Sequence, residues 1–184
     1  MAPRPRALHR SSRQPGQARQ AAVLALMFPD NEQLSLVLMQ RPEYPGVHSG
    51  QISLPGGRCE PGETYVQTAL RETNEELGVP GEDVEILGEL TSIYIPPSDF
   101  EVHPFVGFID TKPQWIPEPT EVAKVIETPL ENLLDSRLKR TTVINRHGFK
   151  IEAPYYNLQG YRVWGATAII LSELEGRLQA ILDS

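Results

Sequence analysis

The stretch Gly57–Val79, GRCEPGETYVQTALRETNEELGV, decides how this chain is understood. Within it Val66, Ala69, Leu70, Thr73 through its methyl group, and Leu77 recur at the three- and four-residue spacing of one helix face, which predicts a helix over 64–77. Thr64 with Gln67 three residues later makes a capping box, and Gly78 followed by Pro80 supplies the stop. At about 100° per residue, Glu72, Glu75 and Glu76 fall within an arc of about 100°, centred roughly 120° from the apolar stripe, so three carboxylates share one face. Like charges at this spacing repel by about 0.2–0.5 kcal/mol per pair, and a cation should compensate them. Mg²⁺ takes carboxylates and keeps waters and substrate phosphates as its remaining ligands, so the face suits a metal that also grips a diphosphate.

Three glutamates on a helix, taken alone, describe an ordinary acidic solvent face. Their flanks argue for more. Pro55-Gly56-Gly57 gives a loop where backbone can approach a ligand closely. Arg71 offers a fork of donors able to hold Glu63 or a metal-binding carboxylate in place.

Outward from the helix, Ala21–Phe28 and Leu34–Gln40 are short apolar runs around Pro29-Asp30-Asn31-Glu32 and predict a hairpin of buried strands. Residues 41–50 carry Pro42, Pro45, Gly46 and Gly50 and read as a loop before a brief strand, Gln51–Leu54, and a second loop at Pro55-Gly56-Gly57. Strands are expected at Val84–Leu90, Val102–Ile109 and Val122–Ile126, with a short helix at Leu130–Leu134. A second hairpin, Thr141–Asn145 with Phe149–Glu152, is expected around His147-Gly148, and a closing helix at Gly165–Leu178. This mixture predicts an α/β fold with a mixed β-sheet covered by helices on both sides.

The chain's 184 residues, 40% of them hydrophobic, suit one domain over residues 20–184 preceded by a flexible basic arm over 1–19. Arg4, Arg6, Arg10, Arg13 and Arg19 have the composition of a transit peptide, but no apolar helical face accompanies them, so a loose solvated arm is expected. With 17 Lys and Arg against 24 Asp and Glu, the formal charge of −7 argues against long nucleic acid as a partner. Ala21–Phe28 falls far short of the roughly 20 residues that span a bilayer. The single cysteine, Cys59, has no intrachain disulfide partner, as expected of a cytoplasmic protein, and no histidine motif makes it a nucleophile.

Taken together, Gly57, Glu63 after five intervening residues, and after seven more Arg71-Glu72-Thr73-Asn74-Glu75-Glu76-Leu77-Gly78-Val79 resemble the Nudix box, a pattern that fixes many positions over 23 residues. Thr73 stands where that family usually carries an aliphatic residue. The resemblance implies a Nudix-type α/β/α sandwich that hydrolyses a nucleoside diphosphate linked to another group. Glu72, Glu75, Glu76 and the Gly56 carbonyl would bind Mg²⁺ or Mn²⁺, with Arg71 and Glu63 supporting them. A further carboxylate outside the box often serves such enzymes as base or extra ligand, and Glu121, after a Pro-rich loop, is the candidate; an ordinary loop acid is the competing assignment.

His48-Ser-Gly-Gln-Ile-Ser-Leu-Pro-Gly-Gly57, with Asp99–Gly107, Glu121–Leu130 and Val163–Ala168, is similar in order and spacing to the coenzyme A pyrophosphatase subgroup. Departures lie at Pro45-Gly46-Val47, where the subgroup commonly has a Leu-Arg pair, and at Ser53-Leu54. The implied substrate is coenzyme A or an acyl derivative, giving adenosine 3′,5′-bisphosphate and 4′-phosphopantetheine or its acyl form. Arg41 and His48 are the candidate substrate contacts by proximity to the box; Arg137, Lys139, Arg140 and Arg146 are further cations. Trp164 could stack on adenine, although its place beside Gly165 favours a packing role. The alternatives are a Nudix hydrolase of ADP-ribose or a dinucleoside polyphosphate, and a non-catalytic nucleotide-binding domain. The complete acidic set disfavours the second. The partner is a small nucleotide, with a homodimer admitted as the assembly.

Overall fold

The computed structural model describes residues 18–43, 50–146 and 149–184. The first hairpin forms as the apolar runs require: β1 (Arg19–Asp30) pairs antiparallel with β2 (Gln33–Gln40) across a two-residue turn in which Asn31 takes φ 56°. Asparagine tolerates that left-handed conformation better than most side chains. Short strands β3 (Ile52–Ser53) and β4 (Gly56–Arg58) lead to helix α1 (Tyr65–Leu77). After it come β5 (Glu85–Glu89), β6 (Ile93–Ile95), β7 (Phe100–Phe108) and β8 (Lys124–Pro129), then the short helix α2 (Leu130–Leu134). Strands β9 (Lys139–Arg146), β10 (Phe149–Leu158) and β11 (Tyr161–Trp164) precede helix α3 (Gly165–Leu182).

Strands β1–β8 make one mixed sheet with path order β3-β2-β1-β7-β5, on which β4 joins β1, β6 joins β7 and β8 joins β2. The pairing of β1 with β7 is parallel, because the connection between them carries α1 across the sheet. A separate antiparallel sheet is formed by β9, β10 and β11.

Strand β1 sorts its side chains by the two-residue period of a strand. Ala22, Leu24, Leu26 and Phe28 join Val37, Met39, Ala69, Leu77 and Val79 in a core beneath α1. Ala21, Ala25 and Met27 face the opposite way, to Leu36, Leu38, Leu133, Leu171 and Leu174 beneath α2 and α3. A sheet buried on both faces explains why both hairpin runs are continuously apolar.

Several expectations shift. Gly56–Arg58, expected as loop, is a strand paired with Ala21–Val23; a Cβ on Gly56 would stand 2.3 Å from the Ala22 carbonyl oxygen, so only glycine permits this approach. The strand expected at Val122–Ile126 begins at Lys124, and the closing helix extends to Leu182. Strands β6 and β11 were not legible, being three and four residues long. Arg19, placed in the basic arm, opens β1 with its guanidinium 4.3 Å from the Phe100 ring centroid; the rest of that arm, apart from Ala18, lies outside the described residues. Among the described residues, no helix is long and apolar enough to cross a membrane.

Candidate active site

Helix α1 starts and stops as its sequence specifies. The Gln67 N–H donates to Thr64 Oγ1 at 3.2 Å and the Thr64 N–H donates to Gln67 Oε1 at 2.8 Å, completing the capping box. Gly78 ends the helix at φ 74°, its N–H donating to the Asn74 carbonyl at 2.8 Å. The last carbonyls of a helix lack intrahelical partners. Here the Leu77 carbonyl accepts from the Ile116 N–H at 2.9 Å and the Glu76 carbonyl from the Glu118 N–H at 3.0 Å. These two bonds draw the segment after β7 along the helix end, and the turn closed by Val122 N–H on the Glu118 carbonyl then presents Glu121.

The result is an acidic cluster. Glu72, Glu76 and Glu121 each offer an oxygen, all within 4.8 Å of one another. Glu76 is 1% exposed, and its Oε2 accepts the Gly56 N–H at 2.7 Å. Arg41 leans over the same spot, its Nη2 lying 3.7 Å from Glu76 Oε1 and donating to the Gly56 carbonyl at 3.3 Å. Burial pushes the Glu76 carboxyl up to about 8 against the pull of the Gly56 N–H and Arg41, with Glu72 and Glu121 adding repulsion. Glu72 is also raised, chiefly by burial, against Arg71. Gly57 is required beside it, since a Cβ there would stand 2.4 Å from Glu72 Oε2.

Glu75 lies outside this cluster. Its carboxylate is 56% exposed and receives Arg71 Nη1 at 2.9 Å. Arg71 also donates to Glu63 through Nε at 2.7 Å, to Glu72 at 2.9 Å and to the Arg58 carbonyl at 3.1 Å. One planar fork thus ties the loop before α1 to two of its carboxylates. Glu63 further accepts from Thr68 Oγ1 at 2.8 Å and from the Glu60 N–H at 3.0 Å.

The hydrogen bond from Arg71 is the main reason the Glu63 carboxyl is held down at about 2, below its ordinary 4.5. A depressed acid stabilises the fold above its unfolded pKa and loses that contribution as pH falls through the folded one. Wild type should therefore exceed Glu63→Gln in thermal stability by a constant margin above pH 5, narrowing between pH 4.5 and 2. Acid-melting curves of the two proteins check this, and a margin independent of pH would refute it.

Of the remaining candidates, Arg137 is bound by Asp135 at 2.8 Å and Lys139 by the buried Glu175 at 2.5 Å, so neither is a spare cation. His48 and the side chain of Arg146 lie outside the described residues. Trp164, expected to pack, is 39% exposed at the β11–α3 junction. Thr73 is buried as expected, and its hydroxyl is satisfied by the Ala69 carbonyl at 2.7 Å, which is how a polar atom is tolerated in an apolar position.

Two glycines shaped around a helix, an arginine fork and a converging acidic cluster describe a family as well as a site. A NUDIX domain model matches residues 18–147, and the chain belongs to that family. It is 36% identical over 155 residues to Nudix hydrolase 3 of Caenorhabditis elegans, covering 76% of this chain and 65% of that protein. It is 38% identical over 128 residues to the mitochondrial coenzyme A diphosphatase NUDT8 of Homo sapiens, covering 68% of this chain and 54% of that protein. The chain therefore spans less than two thirds of either relative's length. The crystal structure of a MutT/nudix family protein from Enterococcus faecalis shares the fold, with TM-score 0.58, 19% identity, and coverage of 95% of this chain and 66% of that one.

Proposed function

We propose that this protein hydrolyses the diphosphate of coenzyme A or an acyl derivative, giving adenosine 3′,5′-bisphosphate and 4′-phosphopantetheine or its acyl form, with Mg²⁺ or Mn²⁺ as cofactor. The observation that carries the chemistry is the convergence of Glu72, Glu76 and Glu121 within 4.8 Å. An all-oxygen donor set with a buried carboxylate fits a hard divalent ion and does not fit a soft one. The family-typical divalent metal would be held by Glu72 and Glu76, with Glu75 and the Gly56 carbonyl as further ligands the family pattern implies. When bound, such an ion neutralises phosphate oxygens and acidifies water.

The chain's own groups do the rest. Gly56 N–H holds Glu76 Oε2, and Oε1 lies 3.7 Å from Arg41 Nη2. Arg71 fixes Glu72 against displacement. Glu121, exposed beside Glu72 and Glu76, would accept the proton of the water whose oxygen attacks phosphorus, while the bridging P–O bond breaks and the second phosphate leaves. Glu121→Gln should then lower kcat by about 10²-fold with a smaller effect on metal affinity. Unchanged kcat across a pH series would assign the base elsewhere.

The coenzyme A assignment rests on the subgroup resemblance and on the likeness to a protein named as a coenzyme A diphosphatase. Arg41, 3.7 Å from Glu76, would meet a substrate phosphate. Donors recruited by the 3′-phosphate are left unpaired without it, so dephospho-coenzyme A should lose roughly 1–3 kcal/mol of transition-state stabilisation in kcat/KM. Equal kcat/KM for the two would sink that claim. The broad test is a panel of nucleotide diphosphates incubated with Mg²⁺ or Mn²⁺, with products identified by mass. Coenzyme A should be turned over fastest, and preference for ADP-ribose would overturn the substrate. We assign the protein to the cytoplasm on its single cysteine.

A further inference from the structure

Strand β8 is a sheet edge. It pairs with β2 from Ser35↔Pro129 to Gln40↔Lys124 and, among the described residues, no strand joins its other side. An open cleft of about 360 Å³ lies along that side, lined in part by Trp115, Lys124, Val125, Glu127, Gln159 and Tyr161.

The lining comes from both faces of the sheet. Val125 packs with the core beneath α1, and Ile126 with the core beneath α2 and α3. Trp115 stands on the α1 side, edge-on to Phe28 with centroids 5.2 Å apart, its indole N–H donating to Glu127 at 2.6 Å. Tyr161 stands on the other side, packed against the second core, its hydroxyl accepting from Lys124 Nζ at 2.6 Å. The β10–β11 turn delivers it there, with Gln159 and Gly160 at φ 50° and 80°. The two rings therefore flank the rim of the sheet and do not form the parallel walls of a slot for a planar base.

Strand register and chain neighbours link this cleft to the acidic site. Lys124 is the register partner of Gln40, whose neighbour Arg41 reaches Glu76, and Glu121 lies three residues before Lys124. Lys124 is held by a phenol and its ring, with no carboxylate partner among the described residues, so its charge is available to a phosphate.

A strand edge repeats N–H and C=O groups at about 3.3 Å per residue, which an extended chain containing amides can match and a nucleobase cannot. We propose that the free edge of β8 binds the extended diamide arm on the non-nucleoside side of the diphosphate, with its amides paired to the strand, Trp115 and Tyr161 against its two sides, and Lys124 at the phosphate end. This rests on the coenzyme A assignment above.

The test titrates 4′-phosphopantetheine alone into the full chain and follows by NMR the Trp115 indole N–H, assigned through Trp115→Phe, and the amides of Val125, Ile126 and Glu127. These signals should move on titration; shifts absent from β8 and Trp115 would overturn the proposal. In turnover, Tyr161→Ala should raise KM for coenzyme A about tenfold with kcat held within about twofold. Lys124→Trp fills the cleft from an exposed strand position, and should raise KM likewise if Tyr161→Ala fails to fold. A fall in kcat at unchanged KM in the folded variant would overturn the assignment. Coenzyme A hydrolysis without these NMR shifts would remove the cleft and keep the reaction, whereas shifts without hydrolysis would remove the reaction and keep the cleft.

Discussion

Glu76→Gln should lower kcat by roughly three orders of magnitude and at the same time stabilise the metal-free protein. Both effects come from one buried carboxylate. The amide keeps an oxygen for the Gly56 N–H, now 2.7 Å from Glu76 Oε2, so the local backbone has no reason to move. It cannot supply the anionic oxygen that a hard cation requires. The stability effect has a definite sign. Burial raises the Glu76 carboxyl to about 8 from 4.5, so the metal-free fold carries no penalty at pH 4 and a growing one as pH rises toward 8. The variant lacks that penalty and should be more stable than wild type by about 4 kcal/mol near pH 8, with the advantage vanishing near pH 4. Thermal melts in a chelating buffer measure the difference. A variant that loses stability at pH 8 along with activity would show that Glu76 serves the core and not a cation.

Gly57→Ala should abolish most activity with little change in fold, reducing kcat by about 10²-fold. The three atoms nearest the added Cβ would all belong to the Glu72 carboxylate, at 2.4–2.6 Å, and that carboxylate is the far end of a flexible side chain. Glu72 would swing out of the cluster it shares with Glu76 and Glu121. Its neighbour behaves differently: a Cβ on Gly56 strikes the Ala22 carbonyl and the Val23 backbone, at a φ of 145° that side chains rarely adopt, so Gly56→Ala should damage the sheet itself. Circular dichroism and kcat, read together, separate the two glycines. A Gly57→Ala protein with wild-type kcat would place Glu72 outside the reacting assembly.

What was legible in the sequence was local. The capping box at Thr64 and Gln67, the stop at Gly78 and the apolar stripe through Ala69 and Leu77 are set by neighbours within a few residues, and the helix matches to the residue at its C-terminal end. The two apolar runs of β1 and β2 were legible because a strand buried on both faces leaves no polar alternation to misread. Strand β4 was not legible, because glycine-rich sequence signals a loop, and only the tertiary approach of Ala22 turns it into a strand. The place of Glu121 after a Pro-rich loop is visible in the sequence. Its arrival beside Glu72 and Glu76 depends on Ile116 and Glu118 bonding to the end of α1, a long-range contact that no spacing encodes. The separation of Glu75 from the cluster was equally hidden, since a helical wheel places three glutamates on one face without saying which one Arg71 claims. Nothing local in the sequence pairs Trp115 with Tyr161; both line the cleft at β8 only through the tertiary fold.

The central claim is that Glu72 and Glu76, in the cluster they share with Glu121, hold a divalent cation. Its most direct test is a titration of the purified chain with Mn²⁺, with free ion counted by electron paramagnetic resonance. The account predicts saturable Mn²⁺ binding at pH 8 that Mg²⁺ displaces and that Glu76→Gln weakens by about 100-fold or more. Equal Mn²⁺ affinity in wild type and Glu76→Gln would contradict it.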